Sequence, residues 1–334
     1  MSRTVKLHVL CSIKGGVGKS TLAVACAKLI AARGGAPLLI DANPSGTSLA
    51  DGLLLRAPKV ALRGDGTLDL DAPPTGEHYS VQETERLRNT RKHALLGKHA
   101  LPPAYLNDAL SYVSAAANQE CRIEGMLWAH ERTDNVLYLP SSPLEQDVAL
   151  SLGWIFSQDP FRWICRMTWL LEALLTRLPS LTDVVMDLPP GVWEGGFSHE
   201  ALSLAAMLSQ GEPLPEGYPD WEKAGIAWQV APLLVTTPDW NDVLPALEYL
   251  AAHSADLPTL RILVNRAGGE SSMDFRARVR RRLDPALAGV RLEEQIERVE
   301  DLGRSLGEVF RVGDLAVDGE VQSVGVPLGL ENGR

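Results

Sequence analysis

The residues best able to do chemistry lie near the N-terminus, in the run Lys14-Gly15-Gly16-Val17-Gly18-Lys19-Ser20-Thr21. An apolar stretch from Val5 to Ile13 precedes them, and a helical pattern from Thr21 to Ala32 follows. Strand, glycine loop, lysine, hydroxyl and helix, in that order, form the context of a phosphate-binding loop rather than of an ordinary glycine turn. Glycine lets the backbone approach phosphate oxygens without a Cβ in the way. The loop N–H groups and the positive end of the following helix then face the anion. In that arrangement Lys19 reaches the β- and γ-phosphates and the Ser20 hydroxyl ligates Mg²⁺.

Two later strand ends supply acids. Leu38-Leu39-Ile40 is a short buried strand that runs into Asp41-Ala42-Asn43-Pro44-Ser45-Gly46-Thr47. Ligand groups in α/β folds collect at the carboxyl ends of strands, so Asp41 is a candidate for the Mg²⁺ shell. The same residues also suit a turn chosen for backbone reasons. Asp183-Val184-Val185-Met186-Asp187 is a β-branched run ending in an acid, followed by Leu188-Pro189-Pro190-Gly191. There Asp187 would hold Mg²⁺ through water, and the Gly191 backbone would sense the γ-phosphate.

Lys14, five residues before Lys19, gives the loop a form that resembles the deviant Walker A motif of the MinD/ParA/Mrp/ArsA ATPases. Asp187 to Gly191 is similar to the Mrp and MinD branch, and Leu233 to Pro238 resembles the family's V-T-T-P strand. The resemblance spans residues 5–50 and 136–310. It implies ATP and Mg²⁺ as ligands, with Ser20, Asp41 and Asp187 as the metal shell. It implies that Lys14 reaches a partner copy's phosphates in an ATP-dependent homodimer. It assigns Asn265 and Arg266, at the end of the strand Leu260 to Val264, to recognition of the base. An Asn amide can pair with an adenine edge, although it can equally serve a turn. The family's Asp-x-Asp-Pro segment reads Asp41-Ala42-Asn43-Pro44 here. Asparagine can bind a water but cannot act as an anionic base, so slow hydrolysis is expected.

These groups need a scaffold. The expected fold is α/β, a mostly parallel, doubly wound sheet with helices on both faces. With 334 residues and 45% hydrophobic content, the chain can bury a substantial core. It is read as one ATPase domain over residues 1–334 with two insertions. Residues 55–135 are expected to be mostly helical, either a partner-binding lid or a solvated surface element, and 205–228 a smaller surface loop. Phe161 to Leu178 has the three- and four-residue spacing of a core helix.

A net charge of −10 argues against general attraction to nucleic acid. Arg276, Arg278, Arg280, Arg281 and Arg282 nonetheless crowd one short helical stretch, a solvated face or a local site for DNA. The four cysteines form no C-x-x-C pair, which disfavours a zinc or iron–sulfur centre. Lacking a signal peptide, a membrane span and a basic amphipathic tail, the chain is expected to be cytoplasmic and without a membrane anchor. Three functions stay open: a positioning or partitioning ATPase, a nucleotide-gated binding module that hydrolyses poorly, and a client or metal-cluster carrier.

Overall fold

Apolar runs that stop at polar turns become the strands of one central sheet. The computed structural model describes residues 2–43, 49–53, 55–57, 61–62, 68–69, 79–90, 105–112, 123–130, 135–157, 160–193, 196–211, 214, 217–253, 256–257, 260–265, 274, 277–279, 281, 312–315 and 321–324. The main elements are β1 (Arg3–Ser12), α1 (Lys19–Ala32), β2 (Pro37–Asp41), β3 (Leu137–Leu139), α2 (Glu145–Ser157), α3 (Pro160–Arg177), β4 (Asp183–Pro190), α4 (Phe197–Gln210), β5 (Ile226–Thr236), α5 (Trp240–Ala252) and β6 (Arg261–Val264). The sheet order is β6-β5-β1-β4-β2-β3, and every pairing is parallel.

Parallel strands covered on both faces read as continuous apolar runs rather than as an alternation. β2 is buried along its whole length, and β4 everywhere but Pro190. α1 packs between β1, β2 and β4 with Leu22, Ala23, Val24, Ala25, Cys26, Ala27 and Ile30 buried. Small residues along that helix allow the close approach to the sheet. The expected doubly wound α/β architecture is what forms.

Residues 205–228 contribute more to the core than a surface loop would. α4 runs on to Gln210 with Leu204, Ala205, Ala206 and Leu208 buried, and β5 begins at Ile226. Trp221, between them, is only 8% exposed and meets Trp228 edge-on. The glycines and prolines that suggested a loop sit only in the connection.

The described parts of 55–135 are mixed in type. Val81–Thr90 is helical, Asp108–Tyr112 is one wide helical turn, and Leu55–Ala57 pairs antiparallel with both Tyr79–Ser80 and Ala129–His130. The start and end of the segment therefore pair with each other. The segment is also anchored to the main domain. Leu106 N–H donates to the Pro140 carbonyl and Asn107 Nδ2 donates to Ser151 Oγ at 2.8 Å, while within the segment Tyr105 stacks on Trp128.

At the opposite end of the sheet from the loop, Arg3 closes the C-terminus of α3. Its guanidinium donates to the carbonyls of Leu175, Leu178, Pro179 and Leu181. Such carbonyls have no partner within the helix, and a planar cation is suited to them. Arg3→Ala is expected to lower stability by about 1–3 kcal/mol, read as a lower urea midpoint at unchanged slope. Arg3→Lys should recover little, because one ammonium cannot span four carbonyls.

Candidate phosphate site

β1 delivers the glycine loop and α1 carries the chain away from it. Gly16 and Gly18 adopt φ of 80° and 87°, a region costly for any residue with a Cβ. Gly18 is the N-cap of α1, no side chain caps it, and the first turn holds no acid. The first N–H groups of α1 thus lack the usual side-chain acceptor and suit an anion. The Lys19 side chain is buried, and Nζ forms an ion pair with Asp187 Oδ1.

Asp41 and Asp187 sit side by side, because β2 and β4 pair in register at these two residues. The Ala42 N–H donates to the Asp187 carbonyl at 2.9 Å and locks the two strand ends together. Asp41 Oδ2 accepts from the Leu49 N–H and from Ser141 Oγ, each at 2.8 Å. Its Oδ1 accepts from the Asn43 N–H at 3.2 Å, an Asx turn that places Asn43 over the strand end.

Burial, and then the neighbouring Asp187 charge, push the Asp41 carboxyl up to about 6, against the weaker downward pull of its three hydrogen bonds. A raised carboxyl favours the protonated form in the folded protein. Its contribution to stability is therefore full below the ordinary carboxylate range, and it fades as pH rises through about 6. At about 1.4 kcal/mol per pH unit, the effect is on the order of 3 kcal/mol. In EDTA, without nucleotide, the protein should melt at a higher temperature at pH 5 than at pH 7.5. Asp41→Asn should flatten that difference; an unchanged difference would assign it to other groups.

The far side of the loop is tied to β5 and β6. Asn265 Nδ2 donates to the Val17 carbonyl at 2.7 Å. Lys14 Nζ donates to the Asn241 carbonyl at 2.5 Å and lies 3.3 Å from Asp242 Oδ1, at the first turn of α5. Asp242 Oδ2 also accepts from Thr237 Oγ1 at 2.5 Å. After β4, Gly191 turns at φ 94° and donates its N–H to the Ser12 carbonyl at 2.8 Å. The Trp193 indole lies over this turn, and a Cβ on Gly191 would come within 1.9 Å of it.

The structure thus brings Lys14, Gly15, Gly16, Val17, Gly18, Lys19, Ser20, Asp41, Asn43, Asp187, Gly191 and Asn265 around one loop, with Thr21 exposed on the first turn of α1. Lys14 rests on its own chain, and the Gly191 N–H is engaged with β1. Arg266 lies outside the described residues, as do Arg276, Arg280 and Arg282. Arg278 does not point away from the protein: its Nη1 donates to the Pro238 carbonyl at 3.1 Å. Arg281 Nε donates to Ala277 within the same turn.

Ser141, Asn241 and Asp242 were not among the expected site residues. Ser141 had a usable signal, a hydroxyl two residues after a strand end.

Among the described residues, no group of three or more His, Cys, Asp or Glu could hold a metal. Magnesium shared with phosphates does not need such a cage, because one or two carboxylates and water complete its shell. Two buried carboxylates beside a single buried lysine fit that donor set, since another cation would relieve their repulsion. No helix among the described residues is long and apolar enough to cross a membrane.

The fold and its glycine loop define a P-loop nucleotide-binding α/β domain. The family model of the CobQ/CobB/MinD/ParA nucleotide binding domain matches residues 8–308, and the chain belongs to that family. Solved structures similar to it include the MinC:MinD cell division protein complex of Aquifex aeolicus, at 17% identity and a TM-score of 0.40, covering 89% of this chain and 78% of that one. Another is cobyrinic acid a,c-diamide synthase from Mycobacterium smegmatis with bound ADP and magnesium, at 14% identity, a TM-score of 0.44 and coverage of 90% and 94%. A third is apo McdA from Cyanothece, at 15% identity, a TM-score of 0.39 and coverage of 92% and 96%. A comparison with curated proteins found no match.

Proposed function

We propose that the protein is an ATP-dependent dimerising switch that hydrolyses ATP slowly. The observation that carries this reading is the buried Lys19–Asp187 pair beside Asp41, at adjoining strand ends beneath the loop. Lys19 leaves Asp187 for the β- and γ-phosphates of ATP. Ser20, Asp41 and Asp187 are the groups that would hold Mg²⁺. Held there, Mg²⁺ would supply the positive charge that offsets the charge of the phosphates during transfer. Gly16 and Gly18 shape the backbone cradle, and Asn43 orients water without deprotonating it.

Lys14 is the dimer sensor. Its contact with Asp242 is partly exposed, with side-chain exposures of 46% and 20%. Exposed pairs of this kind are worth less than about 1 kcal/mol, so release toward a partner's phosphates costs little.

Light scattering with and without MgATP tests the switch. The native protein is expected to be monomeric without nucleotide and dimeric with it. Lys14→Ala should stay monomeric while keeping ATP affinity within about threefold, since its phosphate contact is made in trans. A native protein that binds ATP and remains monomeric refutes the switch.

A further inference from the structure

We infer that Asn265 is a positioning residue for the phosphate loop, which joins the base end of the site to its phosphate end. This rests on reading the loop as a phosphate cradle, and it gives Asn265 a second task besides base recognition. Asn265 Nδ2 donates to the Val17 carbonyl at 2.7 Å across 248 residues of sequence. The Asn265 N–H is itself fixed, donating to the Thr236 carbonyl at 2.8 Å where β5 ends. The amide therefore hangs from the rigid edge of the sheet and grips the middle of the loop.

Planarity of the peptide makes this grip consequential. In a trans peptide the carbonyl and the following N–H point in opposite directions. Holding the Val17 carbonyl toward Asn265 turns the Gly18 N–H toward the other side of the loop. Gly18, at φ 87°, puts little steric resistance in the way of the flipped peptide. The Val17 side chain is buried at 3% exposure and fixes the residue but not the peptide plane that follows it. Asn265 selects that plane. An amide bound to the base and to Val17 together makes a correctly seated base favour an ordered cradle.

The test measures a ligand that has no base. Full-length native protein and Asn265→Ala are titrated with MgATP and with magnesium tripolyphosphate. If Asn265 positions the loop, tripolyphosphate affinity falls by about 5- to 10-fold and MgATP affinity by at least as much. If Asn265 only reads the base, MgATP affinity falls and tripolyphosphate affinity does not, and the inference is overturned. Hydrogen exchange over residues 14–19, without ligand, gives a second readout: faster exchange in the variant is expected, and native protection overturns the inference. If Asn265→Ala does not fold, isosteric Asn265→Asp serves, because it places an oxygen against the Val17 carbonyl. Native protein that binds neither ligand would defeat the phosphate-site reading itself, whatever the exchange data show.

Discussion

Lys19→Met lowers MgATP affinity by about 100-fold or more, the equivalent of two charge-assisted bonds to phosphate in a dry site. Methionine keeps the stem of the side chain, so the loss falls on the charge and not on packing. The nucleotide-free protein suffers as well. Lys19 and Asp187 are exposed by only 6% and 2%, and Asp41 lies beside them. Removing the cation leaves the buried Asp187 carboxylate without its ion-pair partner beside Asp41, and breaking such a pair costs about 3–5 kcal/mol. Proton uptake limits the cost, so the variant should regain much of its stability below pH 6. Lys19→Met with Asp187→Asn should be more stable at pH 7.5 than Lys19→Met alone, while binding MgATP no better. Calorimetric titration and thermal melts across pH check both halves. Equal stability of the single and double variants would show that the pair contributes little.

Asn43→Asp speeds ATP hydrolysis by about 100-fold, the low end of the range for a positioned general base. The substitution is isosteric, and the Asx turn from the Asn43 N–H to Asp41 Oδ1 involves only its backbone. Geometry is therefore kept while an anionic acceptor appears. The new carboxylate lies two residues from Asp41, whose own carboxyl is already pushed up to about 6. Crowding of like charges should raise its affinity for a proton, which helps a base, and should destabilise the nucleotide-free protein. The native protein, by contrast, is expected to retain ATP after purification. Single-turnover hydrolysis of both proteins decides the matter. Native turnover as fast as that of the variant would remove Asn43 as the cause of slow hydrolysis.

Much of the site was legible because its parts are local. The loop from Lys14 to Thr21, the acid ending β4 and the strand flanks are contiguous patterns with short-range causes. Asp41 was legible for a related reason: an acid that closes a buried parallel strand lies at its carboxyl end, where ligand groups collect. Glycines and prolines over 205–228 point to a surface loop, whereas α4 continues with a buried face to Gln210 and β5 starts at Ile226. Composition averaged over a window cannot separate a helix end from the turn that follows it.

What the sequence determined by itself was the class of chemistry and the α/β architecture. Glycine spacing, a lysine and a hydroxyl fix the loop's backbone and charge without reference to distant residues. Tertiary structure decided which partners those groups meet. Lys19 with Asp187, Asp41 with Ser141, Lys14 with Asp242 and Val17 with Asn265 are separated by 100 to 248 residues. Such pairs depend on strand order and register, and no local pattern encodes either. The physical reason is that the parallel β6-β5-β1-β4-β2-β3 sheet brings remote strand ends to one edge. Only there does a phosphate loop acquire an acid on one side and an anchoring amide on the other.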